Sequence, residues 1–205
     1  MKKIALACVA VLVLTAVVSA QTKFNFGVKA GVSMANNVWT DDDGLEKSLI
    51  KPTFGIFALI NLSPWLGIQP ELNYLTMGEW WDDDGDKIVE TFNYLHIPIL
   101  LRARLMEEGK FVPIVFAGPA VGFLLSAKET FQENIKPFYK SMDFGADLGL
   151  GAEIGFGKMK GLIDLRYYMG LTNAYSRPDM EVMMIIPIEL SMKNRGFIFT
   201  AGLIF

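Results

Sequence analysis

The chain has 205 residues, of which 52% are apolar, 12% aromatic and 20% charged. That length supports a domain with a real core, and the aromatic content excludes a disordered chain. The net charge of −3 gives no basic surplus, which argues against nucleic acid as a partner.

The first twenty residues read as a signal peptide. Met1-Lys2-Lys3 is basic, Ile4 to Val18 is apolar, and Val18-Ser19-Ala20 is a small-residue cleavage site. The apolar run is shorter than the ~20 residues of a spanning helix. Cleavage after Ala20 leaves residues 21–205 as the mature domain. Cys8, the single cysteine, lies in the leader, so neither a disulfide nor thiolate chemistry is expected.

From there the chain alternates with period two. Phe24, Phe26, Val28, Ala30 and Val32 face away from Asn25, Lys29 and Ser33. Leu66, Ile68, Leu72 and Tyr74 oppose Gln69, Glu71 and Asn73, and Leu95, Ile97, Ile99 and Leu101 oppose His96 and Arg102. Phe144 to Phe156 is the clearest run: apolar residues on one face, Gly, Asp and Glu on the other. Ile163, Leu165, Tyr167, Met169 and Leu171 oppose Asp164, Arg166, Tyr168 and Gly170. The chain ends with Phe197, Phe199, Ala201, Leu203 and Phe205 on one face. A helix would scatter these sets; a strand sorts them. The spacing predicts eight strands at about 24–34, 53–62, 66–78, 92–104, 111–126, 142–156, 161–172 and 196–205.

A soluble sandwich would carry Lys, Glu and Thr on its polar face. Here that face is glycine-rich with few charges, as the inside of a small barrel in lipid requires. The expected fold is an all-β, eight-stranded antiparallel up-and-down transmembrane barrel. Two similar polar tips, at Trp39–Gly44 and Trp81–Gly85, and further polar stretches near Lys128–Ser141 and Asn173–Arg177 alternate with short turns. Long loops at one end and short turns at the other fit an outer-membrane barrel. Val112–Ala127 is free of charge, but Pro113, Gly118, Pro119 and Gly122 make it a poor helix. Pro70, Pro98, Pro113 and Pro119 fall inside strands and are expected at bulges or strand ends. Val182–Met192 is read as an outward extension of the last hairpin.

Phe26-Gly27-Val28-Lys29-Ala30-Gly31, Gln69-Pro70-Glu71-Leu72, Tyr94-Leu95-His96-Ile97-Pro98 and Ala117-Gly118-Pro119-Ala120-Val121-Gly122 occur in this order. Together they resemble the small outer-membrane β-barrel family that includes the PorT proteins. The resemblance implies an eight-stranded barrel in the outer membrane of a Gram-negative cell and no single function. One branch, PorT, serves type IX protein secretion, and the motifs do not place the chain in that branch. His96 stands where the family usually has an acidic residue, and Val182–Met192 also departs from the pattern.

Lys29, Glu71, His96, Arg102, Asp147, Glu153, Asp164 and Arg166 form the expected lumen set. Eight strands leave room only for side chains, so the set is read as a plug of paired charges rather than a solute path. His96, the single histidine, is expected to hydrogen-bond in the lumen; no serine has a catalytic context. The sequence carries no phosphate loop, histidine pair or cysteine pair, so no enzyme activity, cofactor or metal site is expected. Asp41–Asp43 and Asp82–Asp86 are read as solvated hairpin tips with an Asp-Gly turn rather than Ca²⁺ sites. Trp39, Trp80 and Trp81 are placed in one aromatic belt, and Trp65, Phe111 and Phe205 in the other. The expected role is structural or interactive, presenting external loops; the alternatives are a narrow porin-like channel, a type IX secretion accessory and a lipid hydrolase. Expected partners are outer-membrane lipid and, through the Phe205 strand, the barrel-assembly machinery.

Overall fold

Residues 23–39, 47–107, 109–157, 159–176 and 191–205 are described by a computed structural model. Among them, the alternating runs pair into a closed barrel of eight strands: β1 (Lys23–Trp39), β2 (Lys47–Asn61), β3 (Leu66–Asp83), β4 (Asp86–Arg104), β5 (Phe111–Glu129), β6 (Met142–Phe156), β7 (Met159–Gly170) and β8 (Met192–Ile204). Each strand pairs antiparallel with the next, and β8 pairs with β1 from Gly27–Ile204 to Trp39–Met192. No sheet edge is left open, which is what a strand protein in lipid requires. A short 3₁₀ turn at Lys136–Phe138 lies in the β5–β6 connection.

The faces sort as expected. Outward stand Phe26, Phe54, Ile56, Leu148, Leu150, Phe197 and Phe199, all 48–66% exposed. Inward, the eight ionisable lumen residues are 1–6% exposed. This reverses a soluble protein, whose apolar groups are inside and whose charges meet water. Val112–Ala127 lies within β5 and is strand throughout.

The strands outrun their alternation at one end. The start of β1 and the end of β8, with the connections that follow β2, β4 and β6, mark the opposite end. At the loop end β2 starts at Lys47, β3 ends at Asp83 and β4 starts at Asp86, five or six residues past the predicted limits of 53, 78 and 92. Apolar alternation stops where lipid stops, but backbone pairing continues. Its edge on β3–β5 is a hydrogen-bonded row on the outer face: Thr76 Oγ1 donates to Asn93 Oδ1 (2.8 Å), and Asn93 Nδ2 to Ser126 Oγ (2.9 Å).

Three expectations change. The Trp81–Gly85 tip is no long loop: Asp83 pairs with Asp86 across a two-residue turn, Asp84 (φ 48°) and Gly85 (φ 94°). Both residues take left-handed backbone, which explains the Asp-Gly pair. The four prolines do not mark bulges or strand ends. The register holds constant past Pro70, Pro98, Pro113 and Pro119, while the irregularities fall at Ser48/Thr53 and Asn93/Tyr94. Each proline thus sits in the wall with one donor fewer. Trp81 opposes Ile88 on the inward-facing side, shared with Glu79 and Glu90, so it is not part of the lipid belt. The proposed leader 1–20, the Asp41–Asp43 tip and residues 182–190 of the Val182–Met192 stretch lie outside the described residues; Met192 opens β8.

Candidate functional site

The lumen is layered, and β4 walks through the layers. From the terminal end its inward residues run Arg102, Leu100, His96, Tyr94, Phe92, Glu90. Tyr94 and Phe92 share one apolar cluster, and the others belong to separate groups of neighbours.

Nearest the termini, Glu153 on β6 collects three cations. Arg102 pairs with its Oε1, Arg104 reaches the same oxygen through Nε (3.1 Å) and Nη2 (3.0 Å), and Lys160 Nζ lies 3.0 Å from Oε2. The Lys160 side chain is 45% exposed, so this cluster opens toward the terminal end. An apolar layer follows, with Phe57, Leu100, Ile114, Phe116 and Leu162 at its centre.

The central layer is a closed network. The Arg166 guanidinium forks onto Glu71, with Nη1–Oε2 at 2.9 Å and Nη2–Oε1 at 3.1 Å. The same side chain reaches Asp164 through Nε (3.1 Å) and Nη2 (3.2 Å). Lys29 Nζ donates to Glu71 Oε2 at 2.7 Å, and Gln69 and Asn73 amides donate to the same carboxylate at 2.7 and 2.8 Å. Asp147 stands 3.7 Å from Arg166 and bonds His96 Nε2 at 2.9 Å. The Tyr168 ring meets the imidazole edge-on at 4.9 Å, and the Phe116 ring lies 5.1 Å below the guanidinium. Two cations and His96 thus face three carboxylates. Buried charges are tolerated only with this degree of mutual pairing. The space left beside the network is about 10 Å³, about one water molecule.

Inward glycines make the layer possible. A Cβ on Gly149 would come 2.5 Å from the Phe116 ring, and one on Gly145 equally close to Tyr168. The β6 glycines therefore give their space to the two rings that brace Arg166 and His96.

Toward the loop end, Asp143 accepts from Tyr168 (2.9 Å), Thr172 (2.8 Å) and Asn194 (2.7 Å), among Leu75, Met77 and Ile198. Last comes a carboxylate row outside the apolar band: Glu79 opposes Glu90 and Glu90 opposes Glu129 on adjacent strands. Burial, then the charges of Glu79 and Glu129, push the Glu90 carboxyl up to about 7, against a bond from Tyr139.

All eight predicted lumen residues face inward. Six meet in the central network, while Arg102 and Glu153 form the separate terminal cluster. The residues that sequence reasoning left out are Arg104, Lys160, Asp143, Asn194 and the three loop-end glutamates. For Glu79 and Glu90 the signal was present: the parity of Glu71 and His96, carried past the apolar stretch, reaches both.

The chain matches the family profile described as outer membrane protein beta-barrel domain over residues 19–176. Among solved structures it is similar to the outer membrane protein OprG from Pseudomonas aeruginosa, with TM-score 0.53 and 10% identity over 90% of this chain and 97% of that one. It is similar to Neisserial surface protein A (NspA), with TM-score 0.50 and 10% identity over 86% of this chain and 95% of that one. At that identity the likeness is one of fold. No curated protein matches the chain in sequence.

Proposed function

The chain belongs to the outer membrane protein β-barrel domain family, and from that premise we propose that it is a sealed, non-enzymatic scaffold displaying its loop end outside the cell. The observation that carries this reading is the central network. Arg166, Lys29, Glu71, Asp164, Asp147 and His96 pair with one another across the lumen, with space for about one water molecule beside them. A conducting pore needs the opposite, an open lumen of unpaired polar groups. His96 is held by Asp147 and Tyr168 inside this plug, away from any surface a substrate reaches. What the barrel offers to a partner is the material beyond the apolar band, above all the β3–β4 hairpin.

Residues 1–20 act as the cleaved leader, and the Phe205 strand is the segment read by the barrel-assembly machinery. A surface test addresses display directly. An epitope inserted between Asp84 and Gly85 is expected to bind antibody on intact cells, with the outer-membrane form beginning at Gln21. Labelling only after the outer membrane is broken would place the hairpin on the inner side and reverse the reading.

A further inference from the structure

The barrel's cations are disposed differently at its two ends. At the terminal end, Arg102, Arg104 and Lys160 turn to Glu153, and Lys110 is exposed in the β4–β5 connection. Outward there stand Trp65, Phe111, Phe156 and Phe205, each more than half exposed. At the loop end the cations lie on the outward face, just past the apolar band. On β8 the outward series Phe205, Leu203, Ala201, Phe199, Phe197 gives way to Arg195 and then Lys193. On β5 it passes from Leu125 to Lys128, and on β2 from Ile50 to Lys47. Trp80 sits between two ammonium groups, with Lys47 Nζ 4.4 Å and Lys87 Nζ 4.0 Å from its ring centroid.

Carboxylates do not cancel this rim. Among the described strand residues on that face, Asp82 is the acid beside it, 3.5 Å from Lys47 with both side chains largely in water. Glu79, Glu90 and Glu129 turn inward. Asp83, Asp84 and Asp86 lie at the hairpin tip, farther from the band.

Cations with long stems at the border of hydrocarbon reach outward to whatever head group lies there. An indole at the same level is the usual interfacial anchor. We propose that Lys47 and Lys87, around Trp80, together with Lys193 and Arg195 on β8, form a belt that binds phosphorylated lipid head groups of the outer leaflet. The inference rests on the loop end facing outward; the site itself requires only the rim.

The test uses the mature chain purified in detergent, with native mass spectrometry counting retained lipid. The probes are bisphosphorylated lipid A, the same lipid dephosphorylated, and inorganic phosphate. Wild type is expected to retain the bisphosphorylated lipid, to release the dephosphorylated one, and to keep the former in millimolar phosphate. Each cation removed lowers retention roughly fivefold, the effect of about 1 kcal/mol per basic residue near an anionic surface. Lys47→Gln with Lys87→Gln, and separately Lys193→Gln with Arg195→Gln, therefore each lower it by an order of magnitude or more, while Lys47→Arg with Lys87→Arg restores it. Lys110→Gln at the terminal end leaves it unchanged. Equal retention of the dephosphorylated lipid, or undiminished retention by both Gln pairs, overturns the belt. Displacement by inorganic phosphate shows an ion site and overturns the lipid assignment. Because binding is read in detergent, its failure is separate from a failure of the surface-labelling test.

Discussion

Arg166 and Arg102 are both buried arginines, yet their neighbourhoods predict different costs. Arg166 alone reaches Glu71, Asp164 and Asp147 together, sharing Glu71 with Lys29. Arg166→Ala leaves buried carboxylates short of a cation and is expected to cost about 3–5 kcal/mol. Glu153 keeps Arg104 and Lys160 when Arg102 is removed, so Arg102→Ala is expected to cost less than half as much. Urea unfolding in vesicles measures both, and equal losses would contradict the layered assignment. Glu90 gives a pH effect of definite sign. Its folded carboxyl titrates near 7, above the ordinary 4.5, so the folded state binds the extra proton between those values. Stability therefore falls as pH rises from about 4.5 to about 7. Glu90→Gln is expected to flatten that part of the pH profile of the unfolding midpoint; an unchanged slope would place the effect elsewhere. Parity in the sequence was enough to put Lys29, Glu71, His96 and Arg166 inside. It was silent on which of them meet, because height along the axis depends on strand stagger, which alternation does not encode.

At the scale of elements, the strand cores were legible and the strand ends were not. Leu66, Ile68, Leu72 and Tyr74 show the lipid-facing side of β3 at once. Beyond Tyr74 the outer face is Thr76, Gly78 and Trp80, and the alternation that announced the strand is gone although the pairing with β4 continues to Asp83. The prolines misled for a related reason: a backbone donor missing from the ladder need not shift the register. Closure rests on β8. Leu203 opposes Val28, Ile204 opposes Gly27, Phe205 N donates to Phe26 O at 2.8 Å, and Asn25 Nδ2 donates to Phe205 O at 3.1 Å. Deleting Leu203–Phe205 exposes the β1 edge in lipid. The truncated chain is expected to be lost from the outer-membrane fraction and to lose heat-modifiable gel mobility. Normal fractionation with retained heat-modifiability would show that these residues do not close the barrel.

At the scale of the whole molecule, the fold puts its polar groups to two uses. Inside, Arg166, Lys29 and Arg102 are spent on carboxylates and close the lumen. Outside, beyond the apolar band, the projecting β3–β4 hairpin and the cationic rim meet the leaflet and its surroundings. The plug was foreseeable from strand number and the mixed signs of charge on the inward face; the rim was not, since Lys47, Lys87 and Arg195 look like ordinary surface residues until the band's edge is known. The central claim is that the barrel is sealed, and conductance of the purified mature chain in a planar bilayer tests it most directly. Wild type is expected to insert without discrete current steps, whereas Arg166→Ala, which opens the central network, is expected to admit current. Reproducible open-channel steps from the wild-type barrel, unchanged in Arg166→Ala, would contradict the account.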